Sequence, residues 1–432
     1  MKTETDGARD GTRRFRAWVA GFTAVGFAVR VGYVIVATRH RTLAGDPGYF
    51  HGLAEMLRHG HGWNEPYFSG FGVYPTATHP PLYPLLLVGS SFAGFDSVFR
   101  HRVFSCLIGT AAIPLIALVA RRYGSRRAGV FAAAIAAIYP YLWVNDVNVL
   151  SESLLVPLLA LVLLAAEAVA REPTLRRAAL LGGTVALATL TRGEEWLLVP
   201  LLAWPLLGLR VKPLRERVAL MGAATAMFVL VLAPWVGWNL TRFDHPVLIS
   251  TDLGGTLFNT NCDPVWHGPT IGWWVFLPPC PHDAPLSVHD ESTRDQLLRA
   301  AAWKYVSGHA SRAPVVVAAR VGRIWGVFNP FQTRMFDEQE GRGKWPTWIG
   351  MMLFYPLALL ALVGFRRVRR RELPVLPFVA FALVVTITAA LFYGSMHFRV
   401  PAEVAIVVLA AVGIDAIVTD RRRETAEPVT PA

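Results

Sequence analysis

Charged residues are scarce in this sequence: Asp, Glu, Lys and Arg make up 17% of its 432 residues, whereas 53% are hydrophobic. A soluble domain cannot hide so much apolar surface in one core. Internal repeats and long low-complexity tracts are also missing, and only the two ends, 1–12 and 421–432, have the composition of disordered tails. The composition therefore predicts an integral membrane protein.

A cleavable signal peptide is absent from the N-terminus. The first apolar run, 17–38, is too long for the apolar core of a signal peptide, and no small-residue cleavage site follows it. We therefore expect this run to remain in the protein as its first membrane span.

Cysteine is rare, with three residues and no Cys-x-x-Cys pair to suggest a zinc site. Cys106 lies inside an apolar run. Cys262 and Cys280 lie in one predicted outer loop, where an oxidising compartment permits a disulfide. We predict that these two cysteines form a disulfide, and metal binding by them is the less favoured alternative.

Ten apolar runs have the length needed for membrane spans, since a bilayer core about 30 Å thick requires about 20 helical residues. The predicted spans are 17–38, 102–120, 128–144, 150–170, 178–192, 195–209, 217–238, 347–365, 374–393 and 400–418. The two runs within 178–209 are short, and a single span there is the alternative.

Basic residues give the chain a net charge of +12, but they occur in short clusters between the apolar runs and do not form a nucleic-acid-binding stripe. The clusters follow alternate spans, so the positive-inside rule predicts a multi-pass protein of the cell membrane with both termini in the cytoplasm. The predicted parts are a seven-span N-terminal module (1–238) with a catalytic first outer loop (39–101), an outer loop domain (239–346), C-terminal membrane helices (347–418) and a cytoplasmic tail (419–432).

The first outer loop contains "DPGYFHGLAEMLR", whose apolar residues recur at three- and four-residue spacing. This spacing predicts a short amphipathic helix at the membrane surface. Asp46 would be its N-cap and Pro47 its first helical residue. A carboxylate held at the start of such a helix is also well placed to act as a base, and Tyr49 on the same helix is a candidate substrate-binding residue.

Three further polar residues are predicted near the outer surface. His79 precedes two prolines, so a structural role at a turn is favoured over substrate contact. Asp146 and Glu152 follow the third span, and three roles stay open for them: pairing with a cation, orienting an acceptor hydroxyl, or capping the next helix behind Ser151.

Three arginines lie at or near apolar depth, where insertion costs on the order of 3 kcal/mol and a cavity or an anion is the usual partner. Snorkelling explains Arg192 and Arg399 at the ends of spans, but it explains Arg30 poorly. If all three approached one outer cavity, their planar guanidinium groups would suit a phosphate.

Outer-loop aromatic residues are candidates for stacking on sugars, although an aromatic belt at the membrane interface is the favoured explanation. They are Trp63, Tyr67, Tyr74, Trp266, Trp273 and Trp274. The segment 291–307 is predicted to be an amphipathic helix that covers the cavity.

Several motifs, in this order along this topology, resemble the membrane glycosyltransferases of the GT-C superfamily. They are "GDPGYFHGLAEMLRHGHGW", "HPPLYPLLL", "YPYLWVNDVNVLSESLLVP", "APWVGWNLTRFDHPVLISTDLGG" and "HFRVPAEV". More narrowly, the chain is similar to the glycosyltransferase family 39 group, which is related to protein O-mannosyltransferases and to the lipid A aminoarabinose transferase. Many relatives have two adjacent acids in the first loop, whereas Pro47 follows Asp46 here.

The resemblance implies an all-α polytopic fold of the GT-C type, with about ten transmembrane helices and two long outer loops that carry short juxtamembrane helices. It also implies a sugar donor linked to a polyprenyl phosphate, and a glycan, lipid or protein acceptor outside the cytoplasm. By resemblance Asp46 is the catalytic base, Glu152 and Arg192 occupy family-typical positions, and Asp146 and Arg399 match loosely.

The implied reaction is a single displacement with inversion, in which arginines stabilise the departing phosphate. A divalent cation is possible, but no ligand spacing in the sequence demands one. Two alternatives remain. A glycolipid transporter or flippase would be expected to show repeated halves or broken spans, and an O-antigen-type ligase or polymerase would use diphosphate-linked donors.

Overall fold

The computed structural model describes residues 2–66, 73–210, 213–275, 280 and 288–424. Tyr67 and the end of the C-terminal tail lie outside these residues. Within them the chain is almost entirely helical and contains no β-strand; one isolated bridge pairs Asn64 with Pro75. The N-terminal segment that was expected to be disordered is helical from Lys2 onward.

The α-helices of the N-terminal half range in length from 4 to 32 residues. They are α1 (Lys2–Tyr33), α2 (Asp46–Arg58), α3 (Leu82–Phe92), α4 (Val98–Thr110), α5 (Ala112–Tyr123), α6 (Arg126–Ile138), α7 (Pro140–Trp143), α8 (Glu152–Arg171), α9 (Leu175–Thr189), α10 (Trp204–Arg210) and α11 (Leu214–Asn239). Those that follow are α12 (Leu253–Thr260), α13 (Asp263–Trp266), α14 (Glu291–Gly308), α15 (Ala313–Ile324), α16 (Pro330–Asp337), α17 (Lys344–Arg370), α18 (Leu376–Leu391) and α19 (Val400–Glu424).

Six helical segments of the described chain are long and apolar enough to cross a membrane. They are Asp10–Thr38, Val98–Tyr123, Glu152–Arg171, Leu214–Asn239, Lys344–Arg370 and Met396–Arg421. The other four predicted spans fall on shorter helices: α6 with α7, α9, the turns that lead into α10, and α18. The chain is therefore a multi-pass membrane protein, and six of the ten predicted spans meet the length required of a full crossing.

Local sequence signals explain several helix boundaries. The Ser125 hydroxyl accepts hydrogen bonds from two backbone N–H groups of the first turn of α6, and the Thr174 hydroxyl caps α9 in the same way. α6 ends where Tyr139 turns extended before Pro140, since a residue that precedes proline avoids the helical region.

The C-terminal helix α19 lies at the centre of the bundle. In its most apolar window 78% of the residues are buried, against 22% for the first span. It packs closely on α17, because a Cβ on Gly364 would lie 3.0 Å from the backbone nitrogen of Gly413. Small residues at this crossing let the two helix backbones approach.

The arginine clusters meet at one end of the bundle. Arg122 pairs with the buried Glu167 at 2.7 Å, and Arg127 pairs with Asp415 at 3.0 Å. Arg371 donates to the Gly124 carbonyl at 3.2 Å. These contacts bring the ends of α5, α8, α17 and α19 and the start of α6 to the same side.

At the opposite end, α14 joins the two long loops. It covers the predicted helix 291–307, and its first residue is the buried Glu291. This carboxylate accepts hydrogen bonds from the Ala77 backbone at 2.7 Å and from the Thr251 hydroxyl at 2.6 Å. Cys262 and Cys280 form a disulfide within the second loop.

Candidate active site

Asp46 is the first residue of α2. Gly45 occupies the cap position with φ 62° and ψ −149°, so the prediction that Asp46 itself is the N-cap is wrong by one residue. Tyr49 and Phe50 of the next turn are buried. This face of α2 packs on the protein, and the helix start is thereby held at the mouth of the bundle.

His79 is the direct partner of Asp46. Its Nε2 lies 3.5 Å from Asp46 Oδ1, and its ring centroid lies 4.9 Å from the rings of both Tyr49 and Phe50. The Asp46 side chain is 52% exposed, whereas that of His79 is 17% exposed. The pair therefore presents the carboxylate outward and keeps the imidazole behind it.

The charges around Asp46 favour its ionised form. Desolvation raises the pKa of its carboxyl, but His79, His397 and Arg192 outweigh this effect and hold the pKa well below its usual range. For His79 the two effects have the opposite signs. Desolvation lowers the pKa of its imidazole, but the neighbouring Asp46 raises it by more, so the pKa of His79 is raised. At neutral pH the site therefore contains a carboxylate.

Asp252 provides a second carboxyl group beside Asp46, which sequence reasoning missed. Desolvation raises its pKa, the charge of His79 lowers it, and repulsion from Asp46 raises it again, to about 6 in total. Its Oδ2 accepts a hydrogen bond from Thr256 at 3.1 Å. The second loop thus brings a further acid close to Asp46; the "STDLGG" motif contained the signal.

Arg192 and Glu152 lie together behind Asp46. Arg192 Nη1 donates to Glu152 at 3.1 Å, its Nε donates to Glu194 at 2.7 Å, and its guanidinium lies 5.2 Å from the centroid of the Phe398 ring. Ser151 occupies the cap position of α8 but makes no side-chain capping bond. Of the three roles open for Glu152, the structure places it in a pair with a cation.

Arg30 and Asp146 pair with each other inside the bundle. The Arg30 Nε lies 2.8 Å from Asp146 Oδ2, both side chains are 1% exposed, and Arg30 also donates to the Gly26 carbonyl at 3.0 Å. These two predicted substrate-binding residues are therefore paired with one another and buried.

Arg399 lies in a different cavity from Asp46. It pairs with Glu403 at 2.6 Å and donates to the Ile324 carbonyl at 2.8 Å. The pocket beside it is lined in part by Tyr141 and Phe354, and its lining does not include Asp46. The three arginines consequently do not converge on one site, and Arg192 is the one that acts on Asp46.

A second polar cluster, which sequence reasoning also missed, adjoins the site. His397 lies 3.6 Å from Glu340, which accepts a hydrogen bond from the Trp274 indole at 2.7 Å. The Tyr393 hydroxyl is 3.1 Å from His397 Nε2. His397 lies close enough to Asp46 to help lower the pKa of its carboxyl.

Most of the outer-loop aromatic residues are buried rather than displayed. Trp63, Tyr74, Trp266 and Trp273 are each less than a tenth exposed. Trp63, for example, packs on Trp235 at a ring distance of 5.2 Å. These side chains contribute to the cores beneath the loops, and neither the membrane belt nor sugar stacking accounts for their burial.

Two groups of side chains in the described chain have the spacing of metal ligands, and neither includes Asp46. One consists of His51, Glu55 and His101, and the other of Asp263, His267 and His309. Any divalent cation held by these groups would lie away from the Asp46–His79 pair.

The helical multi-pass architecture defines a class of polytopic membrane proteins, and the fold of this chain is similar to that of a solved oligosaccharyltransferase. The oligosaccharyltransferase AglB from Archaeoglobus fulgidus, solved with an inhibitory peptide and a dolichol-phosphate, matches with a TM-score of 0.56 and 16% identity over 97% of this chain and 52% of that chain. This chain thus spans about half the length of AglB. The likeness confirms the fold that the motifs implied.

Within this class, residues 78–238 match the model of the family described as dolichyl-phosphate-mannose-protein mannosyltransferase. ArnT from Cupriavidus metallidurans, bound to undecaprenyl phosphate, is similar over 96% of this chain and 82% of that chain, with 17% identity and a TM-score of 0.40. The Saccharomyces cerevisiae Pmt1-Pmt2 complex bound to its sugar donor matches 57% of this chain and 36% of that chain, with 16% identity and a TM-score of 0.41. A comparison with curated protein sequences finds no match.

Proposed function

We propose that this protein transfers a sugar from a polyprenyl-phosphate-linked donor to an acceptor hydroxyl on the extracytoplasmic side of the membrane. The observation that carries the proposal is the half-exposed, ionised Asp46 held beside His79 and Arg192 at the mouth of the bundle. The dolichol-phosphate bound to AglB and the dolichyl-phosphate-mannose of the matching family support a lipid-linked donor. The acceptor is a glycan, a lipid or a protein.

In the proposed step the acceptor oxygen attacks the anomeric carbon from the face opposite the phosphate. The new C–O bond forms as the bond to the phosphate oxygen breaks, and the electron pair leaves with the phosphate, so the anomeric configuration inverts. The hydroxyl proton moves to Asp46. Because its pKa is low, Asp46 is a weak base, and the proton transfers late, after the acceptor oxygen has begun to lose electron density.

Arg192 is the group best placed to stabilise the departing phosphate. Glu194 and Glu152 engage its Nε and Nη1 and fix the guanidinium plane, and Nη2 remains for a phosphate oxygen. A phosphate leaves as a stable anion and needs no general acid. Arg192 and His79 already favour negative charge beside Asp46, and the proposed step uses these two groups rather than a divalent cation.

The sidedness in this proposal follows from the arginine clusters, which lie at one end of the bundle while Asp46 follows the first span at the other end. By the positive-inside rule the cluster end faces the cytoplasm, and both termini lie there. A lipid-linked donor would enter from the membrane between helices and bring its head group to the outer site.

The test is transfer of labelled sugar from a panel of polyprenyl phosphate sugars in membranes that contain the intact protein. We expect transfer from one donor, and a loss of about 100- to 10,000-fold in Asp46→Asn, which is the range of general-base catalysis. Asp96→Asn is the matched control, because Asp96 is an ion-paired acid of the same loop. Transfer that survives Asp46→Asn would assign the base to another carboxylate, and the absence of transfer with every donor would favour a glycolipid transporter.

A further inference from the structure

A cluster of two histidines and a glutamate lies at the far end of the surface helix that begins with Asp46. His51 and Glu55 are one turn apart on α2, and His101 is on α4. The Nδ1 atoms of His51 and His101 are 2.9 Å apart. One ligand atom from each of the three residues lies within 4.8 Å of the others.

Hydrogen bonding within the protein leaves this cluster incompletely satisfied. The Oε1 atom of Glu55 is buried and has no partner, and Oε2 reaches only Arg58 at 3.5 Å. A proton shared between the two histidine rings would satisfy their facing nitrogens but not this oxygen. Because a buried carboxylate oxygen without a donor or a cation is unfavourable, a further positively charged group is called for.

His101 is also held as a metal ligand usually is. Its side chain is fully buried, and its second ring nitrogen, Nε2, lies 2.9 Å from the Ser91 hydroxyl. A hydrogen bond at the far ring nitrogen fixes the orientation of a ligating histidine and the position of its proton. With the proton on Nε2, the lone pair of Nδ1 faces the space between His51 and Glu55.

We propose that His51, Glu55 and His101 bind a Zn²⁺ ion. Imidazole nitrogens with one carboxylate oxygen are a typical zinc donor set, whereas Ca²⁺ and Mg²⁺ prefer oxygen ligands alone. Neighbouring donors around tetrahedral zinc are about 3.3 Å apart, so the two rings separate by a few tenths of an ångström when the ion enters. Glu55 is 26% exposed, which gives the ion access to the site and leaves a fourth position for water.

A zinc ion here would fasten three elements to one another. It joins α2 directly to α4, and Ser91 adds the C-terminal end of α3. Since Asp46 lies at the start of α2, the bound ion fixes the direction of the helix that carries it without touching the reacting groups. The ligands are positioning residues, and the metal site stands or falls independently of the proposed sugar transfer.

The experiment uses the purified full-length protein, stripped with a chelator and then titrated with Zn²⁺. A His267→Ala, His309→Ala background removes the second group of possible ligands, so that a single site is measured. We expect about one bound zinc per chain in this background and its loss in His51→Ala, because that variant removes one of three protein ligands. His61→Ala, an exposed histidine just beyond α2, is the matched control and retains the zinc.

Three further measurements separate a metal site from a merely structural cluster. Co²⁺ in place of Zn²⁺ gives the visible absorption of a tetrahedral ion in the control and not in His51→Ala. Ser91→Ala, which leaves all three ligands in place, weakens zinc binding by about 10- to 100-fold. Melting curves show whether His51→Ala is folded. We expect zinc to raise the melting temperature of the control but not that of His51→Ala.

The proposal is overturned if the background protein binds no zinc, or if His51→Ala binds it as tightly as His61→Ala does. Retention of zinc by His51→Ala together with an unchanged cobalt spectrum would assign the ion to other residues. Neither result would bear on sugar transfer by Asp46.

Discussion

Desolvation alone would favour the neutral forms of Asp46 and His79, yet each shifts the pKa of the other towards its charged form. The consequence for the proposed reaction is a base that stays ionised through the neutral range. A low pKa makes Asp46 a weaker base. It also keeps Asp46 ionised, and therefore able to accept a proton, at every pH at which the membrane is intact.

His79→Ala should therefore change the pH dependence of transfer. Without the charge and hydrogen bond of His79, the pKa of Asp46 rises, and the acid limb of kcat/KM moves to higher pH. In the wild-type protein Asp46 contributes no acid limb above about pH 4, which is the usual aspartate pKa. The measurement is kcat/KM for transfer between about pH 4 and 8 in the two proteins.

His245→Ala serves as a control for that experiment, since this histidine belongs to the second outer loop and has no part in the Asp46 pair. An acid limb that is unchanged by His79→Ala would separate Asp46 from the rate-determining proton transfer. An equal fall in kcat at every pH would assign His79 to packing between Tyr49 and Phe50 instead.

The residues of the site differ in how far the sequence could predict them. Asp46 stands out because a single acid precedes proline at the start of an amphipathic pattern, and its neighbours in sequence define its place. Asp252 and His397 reach it from distant segments, and nothing local in the sequence says that those segments meet. The sequence also did not predict the ion pair of Arg30 and Asp146. Each appeared to be free for a substrate, because the sequence does not show that they face one another.

The element that carries Asp46 depends on one unusual backbone conformation. Gly45 has φ 62° and ψ −149°, a region that residues with a Cβ rarely enter, although no atom would clash with the Cβ itself. The strain of a larger residue there would be of order 1–3 kcal/mol, and the first turn of α2 would shift to relieve it.

We expect Gly45→Ala to lower transfer at least as much as it lowers the melting temperature, because the shift displaces Asp46. Gly89→Ala is the matched control: it lies within α3, has ordinary backbone angles, and a Cβ there meets no neighbour. Transfer rates and thermal unfolding of both variants give the comparison. Full activity in Gly45→Ala would show that the start of α2 tolerates another conformation.

The buried pair of Arg30 and Asp146 joins α1 to the turn after α7 at membrane depth. Removal of one partner leaves an uncompensated charge, which typically costs about 3–5 kcal/mol. We therefore expect Asp146→Asn to reduce the yield and melting temperature of the protein. Arg30→Met combined with Asp146→Leu should recover much of that loss, because two apolar side chains replace the pair.

The readout that distinguishes this structural role is the double variant. If Asp146 touched substrate, the double variant would fold and remain inactive, whereas a purely structural pair predicts that transfer returns with stability. Loss of activity in Asp146→Asn at an unchanged melting temperature would contradict the structural role.

Helix positions were the most predictable part of the fold, because apolar runs of membrane length leave few alternatives. Breaks within them were not predicted. The run 195–209 contains Pro200 and Pro205 and divides into turns of different pitch before α10, as expected where proline removes a backbone donor. Proline alone does not determine a break, however, since Pro157 and Pro234 lie inside α8 and α11, which continue past them.

At the scale of the whole molecule, the arginine clusters lie at one end of the bundle. Their position predicts which way the protein is oriented in the membrane. Ser307→Cys on α14 should react with a membrane-impermeant maleimide in intact cells, whereas Arg176→Cys on α9 should react only after permeabilisation. Both side chains are exposed, and the native free thiol, Cys106, is buried. The parent protein is the control for background labelling, and the reverse pattern would invert the proposed topology.

The central place of α19 has a consequence for how the protein is made. Ribosomes deliver the spans in order, and this most deeply buried of the six apolar segments follows the helices α5, α6, α8 and α17 on which it packs. Until it leaves the translocation machinery, α5, α6, α8 and α17 surround a vacant slot whose walls include the backbone at Gly364. The core of the bundle therefore cannot close until α19 is inserted, and lipid or an insertion factor must occupy the slot until then.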